Sequence, residues 1–121
     1  MKIKSLASLL VLAGVSIANV PVWAGGTYGS RITTTRVAAY SSDTYQPISF
    51  NAGDRAVVAV QGDGDTELQL LVYDQNNHLI DSDTCQYSRC VATWTPSWTG
   101  PFYIVVRNMG RVYNQYQMAT N

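Results

Sequence analysis

An antiparallel β-sandwich is the fold this sequence predicts, and three observations predict it. Beyond Ala24 the apolar residues alternate with a period of two. The alternating runs recur about every ten residues with turn-forming clusters between them. No stretch after Ala24 has the 3.6-residue period of an amphipathic helix.

The clearest strands come first. Ala56, Val58 and Val60 alternate with Arg55, Val57 and Ala59; Leu68, Leu70 and Val72 alternate with Glu67, Gln69 and Leu71; Phe102, Ile104 and Val106 alternate with Tyr103, Val105 and Arg107. Each run offers one face to a core. Further candidates are Pro47 to Phe50, Leu79 to Thr84, Cys90 to Thr95 and Tyr113 to Thr120. Between them lie Asn51 to Asp54, Asp74 to Asn77, Thr95 to Gly100 and Asn108 to Gly110, all turn-forming compositions. The expectation is one small all-β domain of about 7 to 8 strands, whose length supports one modest core.

One hairpin is specified more closely. Asp74-Gln75-Asn76-Asn77 forms turns readily, and Asn77 suits a left-handed last position because Asn tolerates positive φ. This register sets Ile80 opposite Val72, Asp81 opposite Leu71 and Asp83 opposite Gln69, so that Glu67, Asp81 and Asp83 share an outward face. A slip of one residue would turn both aspartates inward at a desolvation cost.

The first 24 residues read as a cleavable export signal. Lys2 and Lys4 make a positive start, Leu6 to Val20 is apolar, and Val22-Trp23-Ala24 presents a cleavage site. The apolar run is shorter than the ~20 residues of a spanning helix and ends at Pro21. Cleavage leaves a chain without stable membrane insertion, periplasmic or extracellular. Residues 25–44, rich in Gly, Ser and Thr, read as a flexible leader or edge strand, and residues 45–121 as the sandwich.

Both lysines leave with the signal. The mature chain sets Arg31, Arg36, Arg55, Arg89, Arg107 and Arg111 against the eight acidic residues, a weakly negative balance that argues against nucleic acid and anionic membranes. Cys85 and Cys90 are the only cysteines, and in an oxidising compartment they read as a disulfide closing the loop Gln86 to Arg89. Zinc would need more ligands than the single His78 supplies, and a redox pair more typically has two intervening residues.

Gly62-Asp63-Gly64-Asp65-Thr66-Glu67-Leu68-Gln69-Leu70-Leu71-Val72-Tyr73-Asp74, then Asn76 to Ile80, then Trp94-Thr95-Pro96-Ser97-Trp98-Thr99-Gly100 and a Tyr-rich closing strand, resembles the bacterial pre-peptidase C-terminal domain over roughly Tyr45 to Asn121. The resemblance implies a jelly-roll-like sandwich that serves exported enzymes as a non-catalytic accessory module. Related collagen-binding sandwiches bind calcium through acidic loops, which makes calcium the one cofactor to consider, none being required. Its ligands would come from Asp63, Asp65, Glu67, Asp81 and Asp83, since calcium takes six to eight oxygens. The spacing is not that of an EF-hand, because Leu68 stands where its glycine would be.

Catalysis has little support. No Gly-x-Ser-x-Gly element accompanies His78, which falls beside a hairpin tip, and paired acids such as Asp81 and Asp83 would need a substrate cleft. The aromatic residues suggest binding instead. Trp94 and Phe102 fall on inward positions, whereas Trp98 in a turn and Tyr103 on an outward position are candidates for a contact surface. The function expected is therefore that of a secreted, non-enzymatic interaction or accessory module, binding a protein or polysaccharide at or outside the cell envelope. The alternative is an assembly subunit that pairs through a sheet edge, with Ile32 to Thr35 as the added strand.

Overall fold

The computed structural model describes residues 31–121. The expected signal segment and its cleavage site lie outside the described residues. Nine strands follow one another without a helix among them: β1 (Arg31–Val37), β2 (Ser42–Thr44), β3 (Ile48–Phe50), β4 (Ala56–Gln61), β5 (Leu68–Tyr73), β6 (Leu79–Thr84), β7 (Arg89–Trp94), β8 (Gly100–Asn108) and β9 (Asn114–Thr120). They pair antiparallel into two sheets. One has the order β1-β9-β4-β7; the other has the order β2-β8-β5-β6, with β3 also on β8. The fold is the all-β sandwich that the period of two predicts.

Alternation explains how the layers meet. In β5, Leu68, Leu70 and Val72 are buried while Gln69, Leu71 and Tyr73 are half-buried; in β8, Phe102, Ile104 and Val106 are buried and Val105 is not. These inner faces interdigitate with Val58, Val60, Ala92, Tyr116 and Met118 of the opposite sheet. At one end of the core Phe50, Trp94 and Phe102 form an aromatic cluster, with ring centroids 5.0 to 6.0 Å apart and edge-on or tilted rings. Such geometry matches positive ring edges to negative faces.

β2 and β3 run along the same edge of β8, from Ser42 opposite Arg107 to Ile48 opposite Phe102, with the register shifting by one residue between them. Pro47 lies in the gap and has no N–H to give, which is tolerated at a sheet edge. The Tyr45 N–H still reaches the Ile104 carbonyl at 2.9 Å, so the edge is kinked rather than lost. Residues before Tyr45 also belong to the sheets, as all seven residues of β1 pair with β9 of the same chain. Ile32 to Thr35, read as a strand that a partner could receive, is paired within its own molecule.

The β5–β6 hairpin corrects one expectation and explains it. Asn77 does take the left-handed conformation, with φ of 64°, and Tyr73 pairs with Leu79 in the register expected from the turn. A bulge then shifts the pairing at Ile80, placing Asp81 opposite Val72 and Asp83 opposite Leu70. The two aspartates therefore leave the outward face assigned to them. Asp81 Oδ2 accepts the N–H of Thr93 and Asp83 Oδ2 accepts the N–H of Val91, each at 2.9 Å. Both donors lie on β7, the edge strand of the other sheet. The desolvation cost that argued against this register is offset by charge-assisted hydrogen bonds to otherwise unpaired edge amides.

Candidate interaction site

Four loops converge at the end of the sandwich where β1, β4, β6 and β8 finish: Ala38 to Ser41, Gly62 to Glu67, Cys85 to Ser88, and Met109 to Tyr113. Hydrogen bonds wire them to one another. The Tyr40 N–H donates to Gly110 O at 3.0 Å, the Met109 N–H to Glu67 O at 2.9 Å, and the Gly62 N–H to Ser88 O at 2.7 Å. Buried polar side chains complete the frame. Asn108 Nδ2 donates to the carbonyls of Val37, Ala38 and Val112, and its Oδ1 accepts the Gly110 N–H. Asn114 Oδ1 accepts the Asp63 N–H while its Nδ2 donates to Thr66 Oγ1 and Thr66 O. Satisfied networks of this kind hold loops in one arrangement.

The loops also touch at close quarters. A Cβ on Gly110 would sit 2.4 Å from Thr66 Cγ2, so only glycine lets the fourth loop lie against the second. Gly62 is similarly confined by Leu68 Cδ1 and Asn114 Oδ1 at 2.8 and 2.9 Å.

Cys85 and Cys90 are joined in a disulfide, as their number and spacing indicate. Between them Gln86 to Arg89 makes a tight turn, closed by the Arg89 N–H on Gln86 O at 2.9 Å. Both central residues have positive φ, 52° at Tyr87 and 65° at Ser88, the signature of a type I′ turn. Glycine and asparagine usually fill such positions; tyrosine there costs about 1 to 2 kcal/mol in steric conflict. Tyr40, at the tip of the first loop, also has positive φ, at 53°. Tyr87 is 97% exposed and Tyr40 72% exposed, so neither strained residue is compensated by burial. Met109, Val112 and Tyr113 are exposed beside them, and the Arg36 guanidinium lies over the Tyr113 ring, 4.8 Å from its centroid. Among the described residues, five of the eight exposed large hydrophobic side chains thus belong to these loops.

The acidic residues singled out in the sequence serve other roles here. Asp63 is buried, its Oδ1 accepting the Asp65 N–H and its Oδ2 the Gln115 N–H, each at 2.9 Å. Asp65 and Glu67 are exposed on the same loop, whereas Asp81 and Asp83 engage β7. The five carboxylates do not gather at one point, and among the described residues no group of three or more His, Cys, Asp or Glu is arranged to hold a metal ion.

Trp98 stacks on Phe102, with centroids 5.9 Å apart and planes at 23°, and so caps the far end of the core. Tyr103 is half-buried opposite Tyr73 on the outer face of its sheet. Because alternation sends Tyr103 and Phe102 to opposite faces, Trp98 and Tyr103 do not share a surface. His78 is exposed at the β5–β6 turn, where its Nδ1 lies 3.3 Å from Asp74 Oδ2. The N–H groups of His78 and Asn76 also reach Asp74 Oδ1, at 2.9 and 2.8 Å. The His78 amide, first among these contacts, holds the Asp74 carboxyl below its ordinary pKa. The group works as a turn clamp.

Tyr40, Tyr87, Met109 and Val112 were not legible as site residues. Tyr87, central between two bonded cysteines, carried the one available signal, since a short stapled loop must place its middle residues outward. Tyr40 and Val112 fall in aperiodic segments, where only the assembled loops reveal their common location.

No family model matches the chain, and no curated protein matches it in sequence. Solved structures show a similar fold. The crystal structure of the Yersinia pseudotuberculosis-derived mitogen has a TM-score of 0.60 at 10% identity, covering 76% of this chain and 84% of that one. A periplasmic inhibitor of g-type lysozyme from Aeromonas hydrophila has a TM-score of 0.55 at 15% identity, with the same 76% and 84% covered. At these identities the likeness is one of fold. Among the described residues no helix is long and apolar enough to cross a membrane.

Proposed function

We propose that the mature chain is an exported, non-catalytic module that binds another protein through the four-loop end of its sandwich. The observation that carries this reading is the pair Tyr40 and Tyr87, both exposed and both held at positive φ on loops wired together by hydrogen bonds. A bulky residue kept in a costly conformation without burial is a mark of function rather than of packing. Rigid, exposed tyrosines with Ser, Gly and Arg around them are the composition of protein-binding loops, because tyrosine supplies contact area at a low entropy cost. A sandwich of similar fold that inhibits a lysozyme supports a protein as the kind of partner this architecture can take. Export is part of the proposal and rests on the signal-like start and the disulfide. Membership of the pre-peptidase C-terminal family belongs to it as well, and would make the chain an accessory to a separate enzyme.

The test is affinity capture from envelope and culture fractions on the mature chain, compared with a Tyr40→Ala, Tyr87→Ala variant of equal melting temperature. The expected result is a partner enriched on the wild type and lost from the variant. Equal enrichment on both would refute the loop end as the binding surface.

A further inference from the structure

On the flank of the sandwich, starting directly after the first loop, the edges β1 and β2 stand apart and leave an open cleft of about 390 Å³. Its lining is unusual in composition: Thr33, Thr35, Ser42, Asp43, Thr44 and Tyr45 all carry a side-chain oxygen. A smaller hollow of about 190 Å³ adjoins it, shares Thr33 and Tyr45, and adds Arg31 and Thr120 together with the apolar side chains of Ile48 and Met118. Thr33 and Thr35 occupy alternate positions of β1 that continue to the buried Val37, so they point to the inner side of the strand where a core residue is the usual choice.

The polar groups behind this cleft are fixed in direction. The Tyr116 hydroxyl, on a fully buried residue, donates to Asp43 Oδ2 at 2.7 Å. A phenol has one proton, so the 2.7 Å contact between the hydroxyls of Tyr45 and Tyr116 must be donated by Tyr45. Tyr45 and Asp43 consequently have only acceptor capacity left for a ligand, while the threonine and serine hydroxyls can donate or accept. A ligand suited to this arrangement carries several hydroxyl donors and acceptors and no negative charge, which the Asp43 carboxylate would repel. It also needs an apolar patch for Ile48, Met118 and the Tyr45 ring. Sugar rings combine both features, and the cleft volume lies in the range of small-ligand sites.

We propose that the cleft between β1 and β2 is a binding site for a neutral sugar of an oligosaccharide, with Asp43, Tyr45, Thr33 and Thr35 as its polar contacts and Ile48 and Met118 beneath the adjoining apolar face. None of the lining residues belongs to the four loops, so the amides followed here test this site and not the protein-binding reading. The ¹⁵N-labelled mature chain is titrated separately with cellotriose, maltotriose and chitotriose at millimolar concentration, and with lysinamide as a cationic comparator. The expected result is saturable shifts of the amides of Thr33, Thr35 and Ser42 to Tyr45 with at least one of the three sugars. A Thr33→Val, Thr35→Val variant replaces each hydroxyl with a methyl of similar shape and leaves the Asp43 network in place. It should melt as the wild type does and bind that sugar roughly tenfold more weakly, the loss of one or two net hydrogen bonds. Absence of cleft shifts with all three sugars, undiminished binding by the variant, or a response to lysinamide stronger than to any sugar would each overturn the proposal.

Discussion

The carboxylate of Asp83 accepts the backbone N–H of Val91 at 2.9 Å, and in doing so ties the edge of one sheet to the edge of the other. Asp81 repeats the contact two residues away on Thr93. Strand β7 has β4 on one side only, and these side chains stand in for the missing neighbour on the other. Removal of Asp83 as Asp83→Ala should cost about 1 to 2 kcal/mol, less than a fully buried charged hydrogen bond because water can reach the half-exposed site. The exposed β7 edge should also promote association at high concentration. Urea unfolding and sedimentation would show both effects, and an unchanged urea midpoint would mean that the edge contact contributes nothing to stability.

Alkaline pH should destabilise the fold through Tyr116. Burial first, joined by the hydrogen bond it donates to Asp43, raises its pKa above the ordinary value of 10.0; burial likewise raises that of Tyr45. Below pH 10 both phenols are protonated in the folded and unfolded chains. Above it the unfolded chain releases protons that the folded chain retains, so stability falls as pH rises. Urea midpoints measured from about pH 8 to about pH 11 should decline only in the upper part of this range. Tyr116→Phe should flatten that decline, while losing about 1 to 2 kcal/mol at neutral pH from its stranded partners.

Ser88→Gly should stabilise the protein by about 0.5 to 1 kcal/mol. Ser88 sits at φ of 65°, which glycine adopts without the steric conflict of a Cβ, and the gain is partly offset by glycine's greater freedom in the unfolded chain. Thermal melts would register the rise. Because Tyr87 stays in place at the tip, partner capture should persist.

Gly110→Ala should have the opposite sign. Its Cβ would lie 2.4 Å from Thr66 Cγ2 and 2.5 Å from Thr66 Cβ, and the loops would have to separate. A loss of about 1 to 3 kcal/mol is expected, the range for overpacking. A melting temperature equal to the wild type would show that the second and fourth loops are not in tight contact.

Opening the disulfide with a Cys85→Ser, Cys90→Ser pair should cost about 2 kcal/mol, since only a short loop is closed. The larger effect should fall on recognition, because Tyr87 and Ser88 would be released from their left-handed conformations. Partner capture measured on the reduced and oxidised chains separates this from the stability change, provided both are assayed well below their melting temperatures.

Much of the fold was legible because alternation is a local property. Leu68, Leu70 and Val72 announce a strand and its buried face without reference to any neighbour, and Asn77 announces the turn that follows them. Register beyond the turn was not legible. A single bulged residue, Ile80, reverses the faces of everything after it, and what favours the bulge is a pair of amides on β7 that lie in another sheet. The four-loop end was hidden for a similar reason. Its four loops are separated by long stretches of sequence, and Asp63 reads as a turn residue and Asn114 as part of the closing strand until the Asn114 side chain is seen to accept the Asp63 N–H and the Asp63 carboxylate the Gln115 N–H.

The sequence by itself therefore determined the class of fold, the seven strands from β3 to β9, the pairing of Cys85 with Cys90 and the position of the β5–β6 turn, while β2 was not foreseen and β1 only as one reading of the leader. Each depends on spacing along the chain. Tertiary structure alone decided where the charges and exposed aromatics would be used. Asp81 and Asp83 became edge caps instead of an outward acidic face, and Tyr40 and Tyr87 came to share one end of the molecule. These outcomes depend on which backbone amides and which loops are brought together across the sandwich, and a hydrogen bond between distant segments leaves no periodic trace in either one.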